Sequence, residues 1–169
     1  YYRLFSSHKY AGGLAVESKY FSTSTDQLID EEENEFIGER GIYFIASAYF
    51  NYDTRDNRNF PERGLYSTAR FRNIYPLSSQ IFDGSDQKRS LNLDYSFLKL
   101  IPLTGNASLG ISGDVGLTLG ATAPPYIYFL GGNNRNFINN FKPMEGLSFA
   151  ERFGSNLVRG SVYGQLRPF

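Results

Sequence analysis

Fifteen residues, Ala107 to Ala121, constrain this chain more than any other stretch: A-S-L-G-I-S-G-D-V-G-L-T-L-G-A. Ala107, Leu109, Ile111, Gly113, Val115, Leu117, Leu119 and Ala121 hold the odd positions. Ser108, Gly110, Ser112, Asp114, Gly116, Thr118 and Gly120 hold the even ones. A two-residue period sends alternate side chains to opposite faces, so this is a β-strand with one apolar wall and one small, polar wall. At ~3.3 Å per residue it extends roughly 50 Å, far beyond the ~5–6 residues usual in soluble sheets. A tilted strand crosses the hydrocarbon of a bilayer in ~9–11 residues. One such strand also suits a soluble sandwich with its small face toward water, so the neighbours decide.

Composition narrows the choice. The 169 residues suit one domain, and no run of 18 apolar residues marks a transmembrane helix. That leaves a membrane barrel open, because its signal per strand is weak. Aromatic residues make up 17%, all Tyr or Phe. They suit the girdles of a barrel at its two interfaces, and equally the ordinary preference of sheets for aromatics. Cysteine is absent, which excludes disulfides, thiolate metal sites and a Cys nucleophile. Lys and Arg balance Asp and Glu at 17 each, which argues against a nucleic-acid partner. The chain opens on Tyr1 rather than Met and carries no secretory leader, so it reads as a mature or partial piece of a longer protein.

The alternation recurs along the chain. Tyr1–Tyr10 is too short to assign beyond the end of a strand, and Ala11-Gly12-Gly13 reads as a turn. Leu14, Val16, Ser18 and Tyr20 then alternate with Ala15, Glu17, Lys19 and Phe21. Residues 22–40 form a polar loop whose acidic run, Asp30 to Glu35, reads as a solvated segment rather than a Ca²⁺ site. Gly41–Asp53 is a strand with Ile42, Phe44, Ala46, Ala48, Phe50 and Tyr52 on one face. A turn over 54–63 leads to Leu65–Tyr75, where Arg70 and Arg72 share a face and need water or carboxylates. A loop over 76–88 precedes Arg89–Leu103, whose far end, Leu98–Leu103, contains Pro102 and is expected to change register. Residues 104–106 form a hairpin turn, residues 122–155 a long irregular segment, and Asn156–Phe169 a last amphipathic strand. Short turns at 54–63 and 104–106 alternate with long connections at 22–40, 76–88 and 122–155. Up-and-down barrels of the outer membrane show this alternation, with short periplasmic turns and long outer loops; Greek-key sandwiches do not.

Two stretches carry a family resemblance. Y-D-T-R-D-N-R-N-F-P-E-R-G, Tyr52 to Gly64, is built for a turn: Asp and Asn fold the backbone locally, Pro61 fixes φ and Gly64 permits a positive φ. It resembles the periplasmic turn of the Omp85 superfamily of outer-membrane proteins, with Asp53, Thr54, Arg55, Asn57, Phe60, Pro61 and Gly64 matching. One hairpin later, Tyr128–Phe149 lies where the family carries a long extracellular loop that folds back into the lumen. Leu130-Gly131-Gly132 matches that loop. Its Arg-Gly-aromatic tip is matched in part by Arg135-Asn136-Phe137, which lacks the Gly. Met144-Glu145-Gly146-Leu147 keeps a Gly without the Arg. The N-N-F-x-P-M-x-G-L form is similar to barrels fused to patatin-type lipases.

The resemblance implies an all-β, transmembrane antiparallel up-and-down β-barrel. Residues 1–169 form a middle portion of one sixteen-stranded barrel domain, with its remaining strands elsewhere. It implies a lumenal loop at Gly131, Gly132, Arg135, Phe137, Pro143, Met144 and Gly146, with Arg70, Arg72, Asp114 and Arg159 as lumenal polar partners. The small residues Ser108, Gly110, Ser112, Gly116 and Gly120 either leave room for that loop or relieve curvature. The implied place is the bacterial outer membrane. The implied partners are its lipid and other outer-membrane proteins or lipoproteins, and the implied work is insertion or translocation of outer-membrane or surface proteins. The alternative is the barrel anchor of a patatin-like phospholipase; a third reading is a soluble β-sandwich binding module.

Catalytic motifs fail on inspection. Gly110-Ile111-Ser112-Gly113 has Asp114 where a nucleophile elbow needs Gly, and Asp83-Gly84-Ser85 lacks a third small residue. His8 is the one histidine, which disfavours a Ser-His-Asp triad or a His-based metal site. Gly131-Gly132-Asn133 has no Lys-Ser/Thr after it to make a phosphate loop. No cofactor or metal is expected, and any lipase chemistry would lie in a domain outside this chain.

Overall fold

The computed structural model describes residues 2–22, 40–80, 89–120, 126–132, 141–144, 146–148 and 151–166. Seven strands form one antiparallel sheet: β1 (Tyr2–Ser6), β2 (Tyr10–Ser22), β3 (Arg40–Asp53), β4 (Gly64–Gln80), β5 (Ser90–Thr104), β6 (Ala107–Gly120) and β10 (Leu157–Leu166). They lie side by side in chain order, so every neighbour is the next strand of the sheet in sequence. Between β6 and β10, three short strands pair as a separate small sheet: β7 (Tyr128–Leu130), β8 (Phe141–Lys142) and β9 (Arg152–Gly154). The short turns at 7–9, 54–63 and 105–106 all fall at one end, and the long connections fall at the other.

Register keeps like side chains together across the whole sheet. Glu17, Ile45 and Ile74 lie in one row, as do Ser47, Arg72, Asn92 and Thr118. Asp114 stands between Ser96 on β5 and Arg159 on β10. This face is the covered one: Ala15, Ile45, Arg72, Ile74, Asn92 and Thr118 are all buried, with Tyr126 and Tyr128 laid against it. The opposite face is apolar and open. Val16 is 63% exposed, Leu119 67% and Val158 79%, and Phe44, Phe71, Leu93 and Leu117 join them. No second sheet covers it among the described residues, which removes the sandwich expectation: a sandwich would bury the apolar face and wet the polar one.

Several boundaries depart from expectation. Ala11-Gly12-Gly13 is not a turn but part of β2, and the turn is Ser7–Lys9, where Ser7 Oγ accepts from the amides of Lys9 and Tyr10. The glycines serve close approach instead: a Cβ at Gly12 would lie 2.5 Å from the Phe5 ring, and one at Gly13 2.7 Å from the Tyr49 hydroxyl. Pro76–Gln80 belongs to β4 rather than to the following loop. Tyr43 faces Pro76 with a register shift beside it, a bulge that tolerates the missing amide hydrogen. The end of β5 does not slip at Leu98. Pairing with β6 continues to Pro102, and the irregularity falls between Pro102 and Thr104, next to the turn. The connection expected to be irregular over 122–155 contains the three short strands β7–β9. The acidic run Asp30–Glu35 and the Asp83–Ser85 segment lie outside the described residues.

Candidate functional site

The polar wall meets the chain's own connection at two carboxylates. On β4 and β5, Arg72 binds Asp94 and Asn92 across the strand pair. Asn92 Nδ2 donates to Thr118 Oγ1 on β6 at 3.2 Å and to the Tyr128 hydroxyl at 2.7 Å. Tyr128 in turn donates to Asp94 Oδ1 at 2.7 Å. One phenol therefore closes a network of hydrogen bonds spanning β4, β5, β6 and β7. Burial, reinforced by the bond to Asp94, raises the Tyr128 hydroxyl well above the usual tyrosine value, so it remains a donor.

Asp114 on β6 is the second anchor. Ser96 Oγ donates to its Oδ1 at 2.7 Å, Lys142 Nζ reaches the same oxygen at 2.9 Å, and Arg159 Nη1 lies 3.6 Å from Oδ2. Lys142 comes from β8, so this carboxylate also ties the small sheet to the large one. A mostly buried carboxylate next to two cations and a hydroxyl has the charged and polar partners that burial demands.

The wall leaves space for this connection. A Cβ at Gly116 would sit 2.3 Å from the Tyr128 ring, so only glycine lets that ring lie flat on β6. Further along, Tyr126 packs with Tyr43, Ile45 and Ile74, and the charged ends of Lys19 and Arg72 lie 5.0 and 5.4 Å from its ring centre. Asn156 accepts from the Thr118 amide at 2.8 Å and secures the return to β10.

Of the residues singled out in the sequence, Arg72, Asp114 and Arg159 stand in this network. Arg70 shares their face but makes no ion pair or hydrogen bond among the described residues. Gly131 and Gly132 follow β7, and their amides donate to the carbonyls of Lys142 and Leu147. Met144 bridges back to Gly132, Pro143 joins Lys142 to it, and Gly146 turns with φ 87°. Arg135 and Phe137 lie outside the described residues. Asn92, Asp94, Tyr126, Tyr128 and Lys142 were not legible as a group. The two-residue spacing of Tyr126 and Tyr128 was the available hint; nothing in the sequence pairs Lys142 with Asp114.

The turn residues act together at the other end. Asp53 takes a forked contact from Arg55, with Nε at 3.0 Å and Nη2 at 2.9 Å, and Arg55 stacks 4.5 Å from the Tyr66 ring centre. Asp56 Oδ1 accepts the amides of Asn57, Glu62 and Arg63, and Asn57 Oδ1 those of Asn59 and Phe60. Desolvation is the largest single influence on Asp56 and opposes its charge. The amides of Glu62, Arg63, Asn57 and Asp56 itself together outweigh it and hold the carboxyl below its usual value. Pro61 follows Phe60 in the loop. Gly64 has φ 116°, and a Cβ there would meet the Thr54 carbonyl at 2.5 Å.

A sheet with strands in chain order, an open apolar face and a polar face filled by its own connection belongs to the class of amphipathic walls from which membrane barrels are made. The sequence pattern of the OMP85 superfamily matches residues 1–167, and the chain belongs to that superfamily, whose members are outer-membrane proteins. Comparison with curated proteins and with solved structures yields no match.

Proposed function

We propose that this chain forms part of the wall of a closed barrel in the bacterial outer membrane and works in inserting or translocating outer-membrane or surface proteins. The observation that supports it most is the pairing of opposites on one sheet. Phe71, Leu93, Leu117 and Leu119 stand open on one face, while Arg72, Asn92 and Asp114 on the other hold the connection between β6 and β10. An apolar surface this extensive is rare on a soluble protein, and lipid is the partner that satisfies it. In this reading the covered face is the lumen, the short turns face the periplasm, and β7–β9 is a lumenal loop held by Tyr128 and Lys142. Further partners are other outer-membrane proteins or lipoproteins.

The experiment is a replacement in cells of the full-length gene by one carrying Tyr128→Phe with Lys142→Met. Lower steady-state levels of other outer-membrane or surface proteins, with the variant barrel itself still folded, are expected. Unchanged levels on complete deletion of the gene would sink the insertion role. Phospholipase activity of the full-length protein with no change in those levels would assign the barrel to a lipase anchor instead.

A further inference from the structure

At the short-turn end, on the covered side of β1–β4, an open cleft of about 440 Å³ is lined by Arg3, His8, Lys9, Arg55 and Arg58, with Asp53 as its one carboxylate. Asp53 is already occupied by the Arg55 fork, and Arg58, 82% exposed, only approaches it at 3.8 Å. Arg3 and Lys9 have no ion pair among the described residues. The other acids of the nearby turn are turned elsewhere: Asp56 holds backbone amides, and Glu62 lines a separate hollow beside Thr104.

We propose that this cleft binds a phosphate-bearing anion. Four permanent cations around one committed carboxylate leave an uncompensated positive field, which attracts an anion into a concave site. Arg3, Lys9 and Arg58 approach from three different segments, β1, the first turn and the second turn. A phosphate offers a charged oxygen to each of three cations, whereas a carboxylate has two oxygens to share, and guanidinium forks match phosphate geometry. The volume admits a headgroup-sized ligand. The proposal is independent of any role in protein insertion.

The test uses full-length protein in detergent, titrated with inorganic phosphate, with short-chain phosphatidylglycerol and with a glutamate-rich peptide. Native mass spectrometry and calorimetry provide the readouts. Saturable binding of phosphate alone identifies a free anion as the source; phosphatidylglycerol binding that phosphate displaces identifies a lipid headgroup. In either case Arg3→Gln with Lys9→Gln should weaken binding about tenfold or more, and added salt should weaken it further. Arg63→Gln, in the same turn but outside the cleft, should leave it unchanged. Should the double variant lose its heat-modifiable folded band, Arg58→Gln alone, at an exposed tip, carries the comparison. Binding of neither phosphate probe, equal binding in all variants, or tighter binding of the acidic peptide than of both probes overturns the proposal.

Discussion

A single hydroxyl joins the connection to the wall at Tyr128. It donates a hydrogen bond to Asp94 and accepts one from Asn92, so Tyr128→Phe removes one partner from the buried Asn92 and one from the half-buried Asp94. The expected loss is about 1–3 kcal/mol, the usual cost of an unmet buried partner, read as a lower urea midpoint for the folded protein. Lys142→Met is milder, about 0.5–1 kcal/mol, because Arg159 and Ser96 still hold Asp114. Equal midpoints for Tyr128→Phe and the parent would show that the phenol carries no anchoring role. Combining Lys142→Met with Asp114→Asn separates the pair's own coupling from the cost of each change.

Single elements show which physical signals reach the sequence. The strand Ala107–Gly120 was legible because burial alternates with the pleat, and the turn 54–63 because each Asp and Asn has an amide within a few residues. Both are local. Gly12 and Gly13 misled because their reason lies on other strands, in the rings of Phe5 and Tyr49. The short strands β7–β9 are two or three residues long, too brief to show any period, and Lys142 meets Asp114 across 28 positions. Two predictions belong at this scale. Gly116→Val pushes against the Tyr128 ring, so proteolytic cleavage within 126–154 should rise, while Gly164→Ala, with open space around it, should leave cleavage unchanged. Identical digestion of both would mean the ring does not depend on that gap. In the turn, Asp56 binds its proton less readily when folded than when free. The order it confers is therefore complete above its unfolded value, near 3.8, and fades as pH falls through the lower folded value. Exchange protection of the Glu62 and Arg63 amides should follow that fall, and Asp56→Asn should abolish the dependence.

For the whole molecule the decisive contrast is between Phe71 and Arg72, neighbours in β4 that face opposite ways. Phe71 is 45% exposed on the apolar side, and Arg72 is 8% exposed against Asp94 and Asn92. In water an exposed Phe→Arg change is close to neutral. In a bilayer, an arginine on the lipid face near the midplane costs about 2–4 kcal/mol, because the charge leaves water without a partner. Phe71→Arg should therefore lower the fraction that folds into lipid vesicles, measured by heat-modifiable migration after dilution from urea. Arg72→Leu should also destabilise, through the opposite logic: Asp94 and Asn92 lose their charged partner inside the polar wall. The first effect depends on the solvent and the second on the partner. Folding in detergent micelles, which deform around a charge, should relieve Phe71→Arg more than Arg72→Leu. Phe71→Arg that folds into vesicles as well as the parent would place water, not lipid, against the open face of this sheet.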